Sequence, residues 1–452
     1  MLVTGLGAVN DGSAAPRAGA TTMPTATVPP TLAATNACPA ESAAHAPVPG
    51  RARPGLTPRV YVVDNHIPPD APAGTPYLVD VIDPATSRVI RTISVGAEPH
   101  HIYPVPGENE AYVTHFINCE IDVVDLATNR VIGTIPTAYG PRHLAFDPGG
   151  NYAYAVDYFD ERLTVIDTRD NRAVGTIKTG PYPNYPQVTA DGRRVYIVNS
   201  GSNTVTVAQA RPPFRVIRTI VVGQSPFDLA LTPDGKLMLV ANAGDNTVSF
   251  IDTHTLGVVA TVPTRIPEQG TADAMQKLNI RITANGRYAW IGDQAGSAAS
   301  VIDIAARRLS TVLPASAGSD TLFQIGGGPS AGLGLMTARY GDFLDVVRPD
   351  QPSLVSDLFT APNCSATGSC AAPQTAGSGT LGSGSHQVAF SPGWLTAYVS
   401  DRPGSAVSEI SLAHGRPKLL RNIPTSYFPY GYPDGIAEVW FSHGEAQTLT
   451  GG

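Results

Sequence analysis

From about residue 59 onward the apolar residues fall in short runs of about five, alternating or wholly apolar, separated by Gly, Asp, Asn and Pro. A period of two broken by turn residues predicts strands and hairpins rather than helices. The runs recur in fours. After each of Pro99, Pro141, Pro183 and Pro226, spaced about 42 residues apart, comes a first run (HIYPVP, HLAFDP, QVTADG, DLALTPDG). A second run follows a turn (AYVTH, YAVDY, VYIVN, LMLVAN), a third ends in Ile-Asp or Val-Asp, and a fourth is β-branched (RVIGTI, RAVGTI, RVIRTI, GVVATV). Such a four-stranded unit cannot bury both of its faces alone. Stacking the units radially buries them against one another, which predicts an all-β, single β-propeller of four-stranded blades.

Seven complete units are readable, with innermost strands beginning near His100, Arg142, Tyr185, Phe227, Leu278, Thr321 and Ser385. The sixth of these is weak: GLGLMTAR, DFLDVVRP and SLVSDLF suit its last three strands, and its first is indistinct. Residues 59–95 hold three strands without an innermost one, and the chain end near Gly431–Phe441 can supply it. Joining the two ends closes the ring and removes an exposed sheet edge. The count is then eight blades, or seven if the weak unit is an insertion. The expected organisation is a disordered Ala/Pro/Thr-rich segment at 1–58, the propeller at 59–441 and a tail at 442–452.

The repeats resemble the YVTN-type propeller repeat of YncE-like and surface-layer propeller proteins. The resemblance is carried by SPFDLALTPDGKLMLVANAGDNTVSFID and ADGRRVYIVNSGSNTVTV and extends over nearly all of 59–441. It implies the fold strongly and a function weakly, since related propellers include copper and haem d1 oxidoreductases and lactonases.

Charge and composition narrow the partners. With only 15% charged residues, a net charge of −7 and no basic stripe, the chain is not expected to bind nucleic acid. No apolar stretch is long enough for a transmembrane helix. Of the four cysteines, Cys364 and Cys370 flank a small loop and suggest a disulfide, hence an extracytoplasmic location: periplasmic, cell-surface or secreted.

Candidate chemistry gathers on one rim. The innermost strand starts there and the second strand ends there. Aligned by repeat, the channel position reads His101, His143, Gln187, Asp228, Asn279, Gln324 and His386 or Gln387. His115 ends a second strand at the same rim, so His101, His115, His143 and His386 are candidate ligands of Cu or Zn. Strict alternation turns one of His100 and His101 away from the channel. Asp228 is the candidate general base. Tyr139, Tyr182, Tyr185, Phe227, Tyr427, Phe428, Tyr430 and Tyr432 crowd the rim and suit a small molecule, a glycan or a peptide. The expected ligand-binding set is Gln187, Asp228, Asn279, Gln324, Gln387, Tyr185, Phe227 and Tyr430. Three functions remain open: an extracytoplasmic propeller that binds a ligand or partner without catalysis, a His-metal oxidoreductase, and a lactonase-like hydrolase.

Overall fold

The computed structural model describes residues 58–64, 72, 74–264, 278–294, 297–338, 343–359, 384–402, 406–426 and 437–440. The chain divides into two units, Met1–Ala37 and Cys38–Gly452, and every described residue belongs to the second. Residues 1–57 of the segment expected to be disordered, the Cys364–Cys370 loop, the tail, and the rim aromatics Tyr427, Phe428, Tyr430 and Tyr432 lie outside the described residues.

Eight four-stranded antiparallel sheets form the ring. Blade 2 runs from Pro99–Pro104 to Arg130–Pro136, blade 3 from Pro141–Phe146 to Arg172–Lys178, and blade 4 from Pro183–Val188 to Val216–Val221. Blade 5 runs from Pro226–Leu231 to Gly257–Pro263 and blade 6 from Leu278–Ile282 to Arg308–Pro314. Blade 7 runs from Ser319–Gln324 to Ser353–Phe359 and blade 8 from Gly384–Phe390 to Lys418–Pro424. The weak unit is therefore a full blade. Blade 1 is composite: Ala437–Trp440 pairs with Arg59–Asp64, opposing Trp440 to Arg59 and Ala437 to Val62. The ends of the chain thus close the ring, and the count is eight.

Each interface between neighbouring blades has its own apolar core, as radial stacking requires. Tyr61, Val63, Val79 and Val81 of blade 1 pack on Ile102, Ala111, Val113 and Val124 of blade 2. At the seam, Val60, Val62 and Ile82 of blade 1 pack on Tyr398, Val407 and Ile423 of blade 8. Outermost strands carry most of the exposed large apolar residues, such as Ile90, Ile132 and Val216. The second-strand aromatic of the repeat also ties blades by hydrogen bonds. The Tyr61 hydroxyl donates to Asn129 of blade 2, that of Tyr112 to Asn171 of blade 3, and the Trp290 indole N–H to the carbonyl of Pro349 in blade 7.

Two features shape the channel mouth. The residue before the first strand is left-handed: Glu98 at φ 51°, Gly140 at 80°, Tyr182 at 51° and Ser225 at 45°. Only Gly140 takes this conformation without a side-chain penalty, and a Cβ there would lie 2.7 Å from the Phe159 ring. Directly after it the pairing of the first strand shifts, between Pro99 and His101, Pro141 and Leu144, Pro183 and Pro186, and Pro226 and Asp228. These are β-bulges, which insert one residue and re-aim the side chains beside it.

Candidate functional site

The bulge changes which histidines meet. His101 opposes Thr114 while Pro99 opposes His115, leaving His100 as the extra residue. The strict alternation expected at this point therefore fails, and both imidazoles face one place. Their ring centroids are 4.1 Å apart, and His143 of blade 3 lies 5.1 Å from His100 and 4.6 Å from His101. The three residues offer ligand nitrogens that all lie within 4.8 Å of one another, and so could hold a metal ion. His101 and His143 are buried, and His100 is partly exposed. Tyr185 stacks on His143 at 3.8 Å, and the Tyr103 hydroxyl lies 3.5 Å from His143 Nδ1.

His115, one of the expected ligands, is elsewhere. It is wholly buried inside blade 2, with Nδ1 3.1 Å from the Ala97 carbonyl and Nε2 3.2 Å from Asp122. The reason lies in the repeat. At the same place blades 4 and 5 carry Asn199 and Asn242, which bond Thr206 and Ser249 on the third strand. His115 and Asp122 form that same tie between second and third strands. His386, the fourth expected ligand, lies on the innermost strand of blade 8 at the register of His100, and its side chain is outside the described residues.

The ladder register also revises the channel ring. The residues equivalent to His101 are His143, Tyr185, Asp228, Asn279, Thr321 and Gln387. Gln187 and Gln324 stand further down their strands and clip neighbouring blades together. Gln187 Oε1 accepts the Leu231 N–H at 3.0 Å. Gln324 accepts the Ala284 N–H and donates to the Ile282 carbonyl. The repeat alignment ran two residues too far along the first strand of blade 4 and three too far in blade 7, where the first strand was indistinct.

Asp228, the candidate base, is fully buried, with one oxygen held by its own strand and the other by blade 6. It accepts from its neighbour Leu229 N–H at 2.7 Å, from Ile280 N–H at 3.0 Å and from Arg281 at 2.7 Å. Burial pushes its carboxyl above the ordinary range, and Arg281 opposes that rise. No imidazole is among these partners. Tyr185 stands between, stacked on His143 and close enough to Asp228 and Asp320 to feel their charge, with its phenol pushed up by burial. Asn279 donates to Asp320, as do Gln294 at 2.7 Å and Thr321 at 3.3 Å. Asp320, at the register of His100 in blade 7, was hidden by the weak repeat. Phe227 meets the Tyr185 ring edge-on at 5.6 Å.

Above the imidazoles lies an arc of rings. Phe116 is 5.9 Å from His100, 5.6 Å from Tyr158 and 5.2 Å from Phe159. Tyr139 stacks on Phe159 at 5.0 Å, and Tyr182 lies 5.3 Å from Tyr158. The Arg142 guanidinium sits over both Phe116 and Tyr158, at 5.3 and 5.2 Å, a cation–π arrangement. Tyr139, Tyr182 and Tyr185 were expected at this rim; Phe116, Tyr158 and Phe159 were not. Their signal is present in the sequence, because they directly follow the second strand in YVTHF and YAVDYF. Cys119, the one cysteine among the described residues, is disulfide-bonded.

A family model described as "Lactonase, 7-bladed beta-propeller" matches residues 97–271. No match was found among curated proteins. Among solved structures, hydrazine synthase of Kuenenia stuttgartiensis is similar at 17% identity and a TM-score of 0.50, over 72% of this chain and 95% of that one. Dihydro-heme d1 dehydrogenase NirN, in complex with DHE, is similar at 14% identity and a TM-score of 0.63, over 84% of this chain and 76% of that one. At such identities the likeness is one of fold, and with the ladder it makes the chain a β-propeller, of eight blades where the matching family model describes seven.

Proposed function

We propose that this is an extracytoplasmic propeller that binds a small anionic organic molecule at the channel mouth over blades 2–4. The carrying observation is the unbroken run from the clustered imidazoles, through partly exposed His100 and Phe116, to Tyr158, with Arg142 held between the rings. The ring faces suit the apolar face of a sugar or similar polyol, the imidazoles suit its hydroxyls, and Arg142 suits a carboxylate or phosphate. The disulfide at Cys119 supports an oxidising compartment. The repeat spelling supports a YVTN-type origin.

A second reading, lactone hydrolysis, is favoured by the lactonase-family match, whose span contains the imidazoles, Arg142, Tyr185 and Asp228. Calorimetric titration with aldonic acids and their lactones, alongside hydrolysis followed by pH-stat, tests both. Losing a charge-assisted contact in Arg142→Ala should weaken binding about tenfold or more. An intact protein that binds no anionic polyol refutes the proposal, and lactone decay at the uncatalysed rate refutes the second reading.

A further inference from the structure

We propose that His100, His101 and His143 form a three-imidazole centre for Zn(II) or Cu(II), with one coordination position left open toward the aromatic arc. The inference goes beyond ligand binding at the rim and stands on separate observations.

The convergence itself is the first. Three ring nitrogens within 4.8 Å of one another need only small rotations to meet at one ion, since Zn–N distances are about 2.0–2.1 Å. The backbone supports it, because the bulge at His100 turns two consecutive residues to the same side. Bulges recur in most blades, but imidazoles stand beside them only in part of the ring. At the register of His101, blades 5 and 6 place Asp228 and Asn279, both engaged in hydrogen bonds between blades. The histidines are therefore not what the bulge requires.

The donor set selects the ion. Neutral imidazoles without a carboxylate or thiolate suit Zn(II) and Cu(II), whereas Mg(II) and Ca(II) demand oxygen donors. Three protein ligands leave the fourth position of a tetrahedral site open. His100 is the partly exposed member and lies 5.9 Å from Phe116, so the open side faces the mouth. Tyr103 adds an outer partner: its hydroxyl near His143 Nδ1 directs Nε2 to the ion. Three neutral imidazoles leave the dication's charge uncompensated, which calls for negative charge in the open position. A hydroxide or the carboxylate of a bound acid meets that need.

The test uses the full chain, stripped with chelator and titrated with Zn(II) and then Cu(II), without any organic ligand. The wild type should take up about one equivalent with micromolar or tighter affinity. His101→Ala/His143→Ala should lose that uptake, and Tyr103→Phe should weaken it about 10-fold. His254→Ala and His414→Ala, at exposed positions, should leave it unchanged. Melting curves of the metal-free proteins check folding. If the double variant unfolds, His100→Ala, at a partly exposed site, must show the loss by itself. Wild-type uptake no greater than that of the folded variants overturns the proposal, as does no uptake at all. Because the titration omits the organic ligand, its failure is distinct from failure of the ligand reading.

Discussion

Replacing Asp157 by Asn should stabilise the protein, and more so as the pH rises. Asp157 ends the second strand of blade 3 and is wholly buried. It accepts one side-chain hydrogen bond, from Thr164 Oγ1 at 2.7 Å, and its Oδ1 meets no donor among the described residues. Burial holds its carboxyl well above the ordinary 3.8; Thr164 opposes the rise, Asp160 adds to it and Arg162 opposes it. A carboxyl with a raised pKa in the folded state binds protons more tightly there than in the unfolded chain. Stability is therefore full below the unfolded value, falls as pH rises through the window up to the folded value, and is flat above it. At pH 7 the loss has a ceiling of about 4 kcal/mol, because a costlier charge would simply stay protonated. Asn removes that loss but brings an N–H₂ group. In blades 4 and 5 the amide donates to two hydroxyls, Thr204 and Thr206 or Thr247 and Ser249. In blade 3 Arg162 stands at the register of Thr204 and Thr247, so one donor goes unmatched at about 1 kcal/mol. The expected net gain is about 1–3 kcal/mol near neutral pH, falling to none near pH 4. Asp157→Asn/Arg162→Thr, which restores the second hydroxyl, should gain further. Urea unfolding of the three proteins at about pH 4 and about pH 8 measures this. An Asp157→Asn protein less stable than wild type at the higher pH, or a gain of equal size at both, refutes the reasoning.

Gly292→Ala should destabilise by about 3 kcal/mol, since overpacking a strand against backbone cannot be relieved by a side-chain rotation. A Cβ there would lie 1.9 Å from the Asp320 carbonyl oxygen, and a melting temperature equal to wild type contradicts that approach. Ending the chain before residue 437 removes the strand paired with Arg59–Asp64 and should lower the melting temperature markedly; an unchanged value counts against closure. Thiol titration of unreduced, denatured protein should find at most two free thiols of the four cysteines, since Cys119 occupies itself and one partner. Four free thiols would remove the disulfide and the support it lends to an extracytoplasmic location.

Local chemistry determined the architecture, and for that reason it was legible in the sequence. Strand, turn and repeat are properties of consecutive residues, so the period after Pro99, Pro141, Pro183 and Pro226 carried the blades, and a missing innermost strand at 59–95 pointed to the end of the chain. The tertiary structure alone decided which side chains meet at the mouth. One inserted residue at a bulge reverses the face of its neighbours, so alternation set His100 against His101 where the fold unites them. The partners of buried polar groups come from another strand or another blade about 40 residues away. Hence His115 went to Asp122 rather than to an ion, Gln187 to Leu231 and Asp228 to Arg281. Burial demands that such groups be satisfied, but only the packing of blade on blade names the partner.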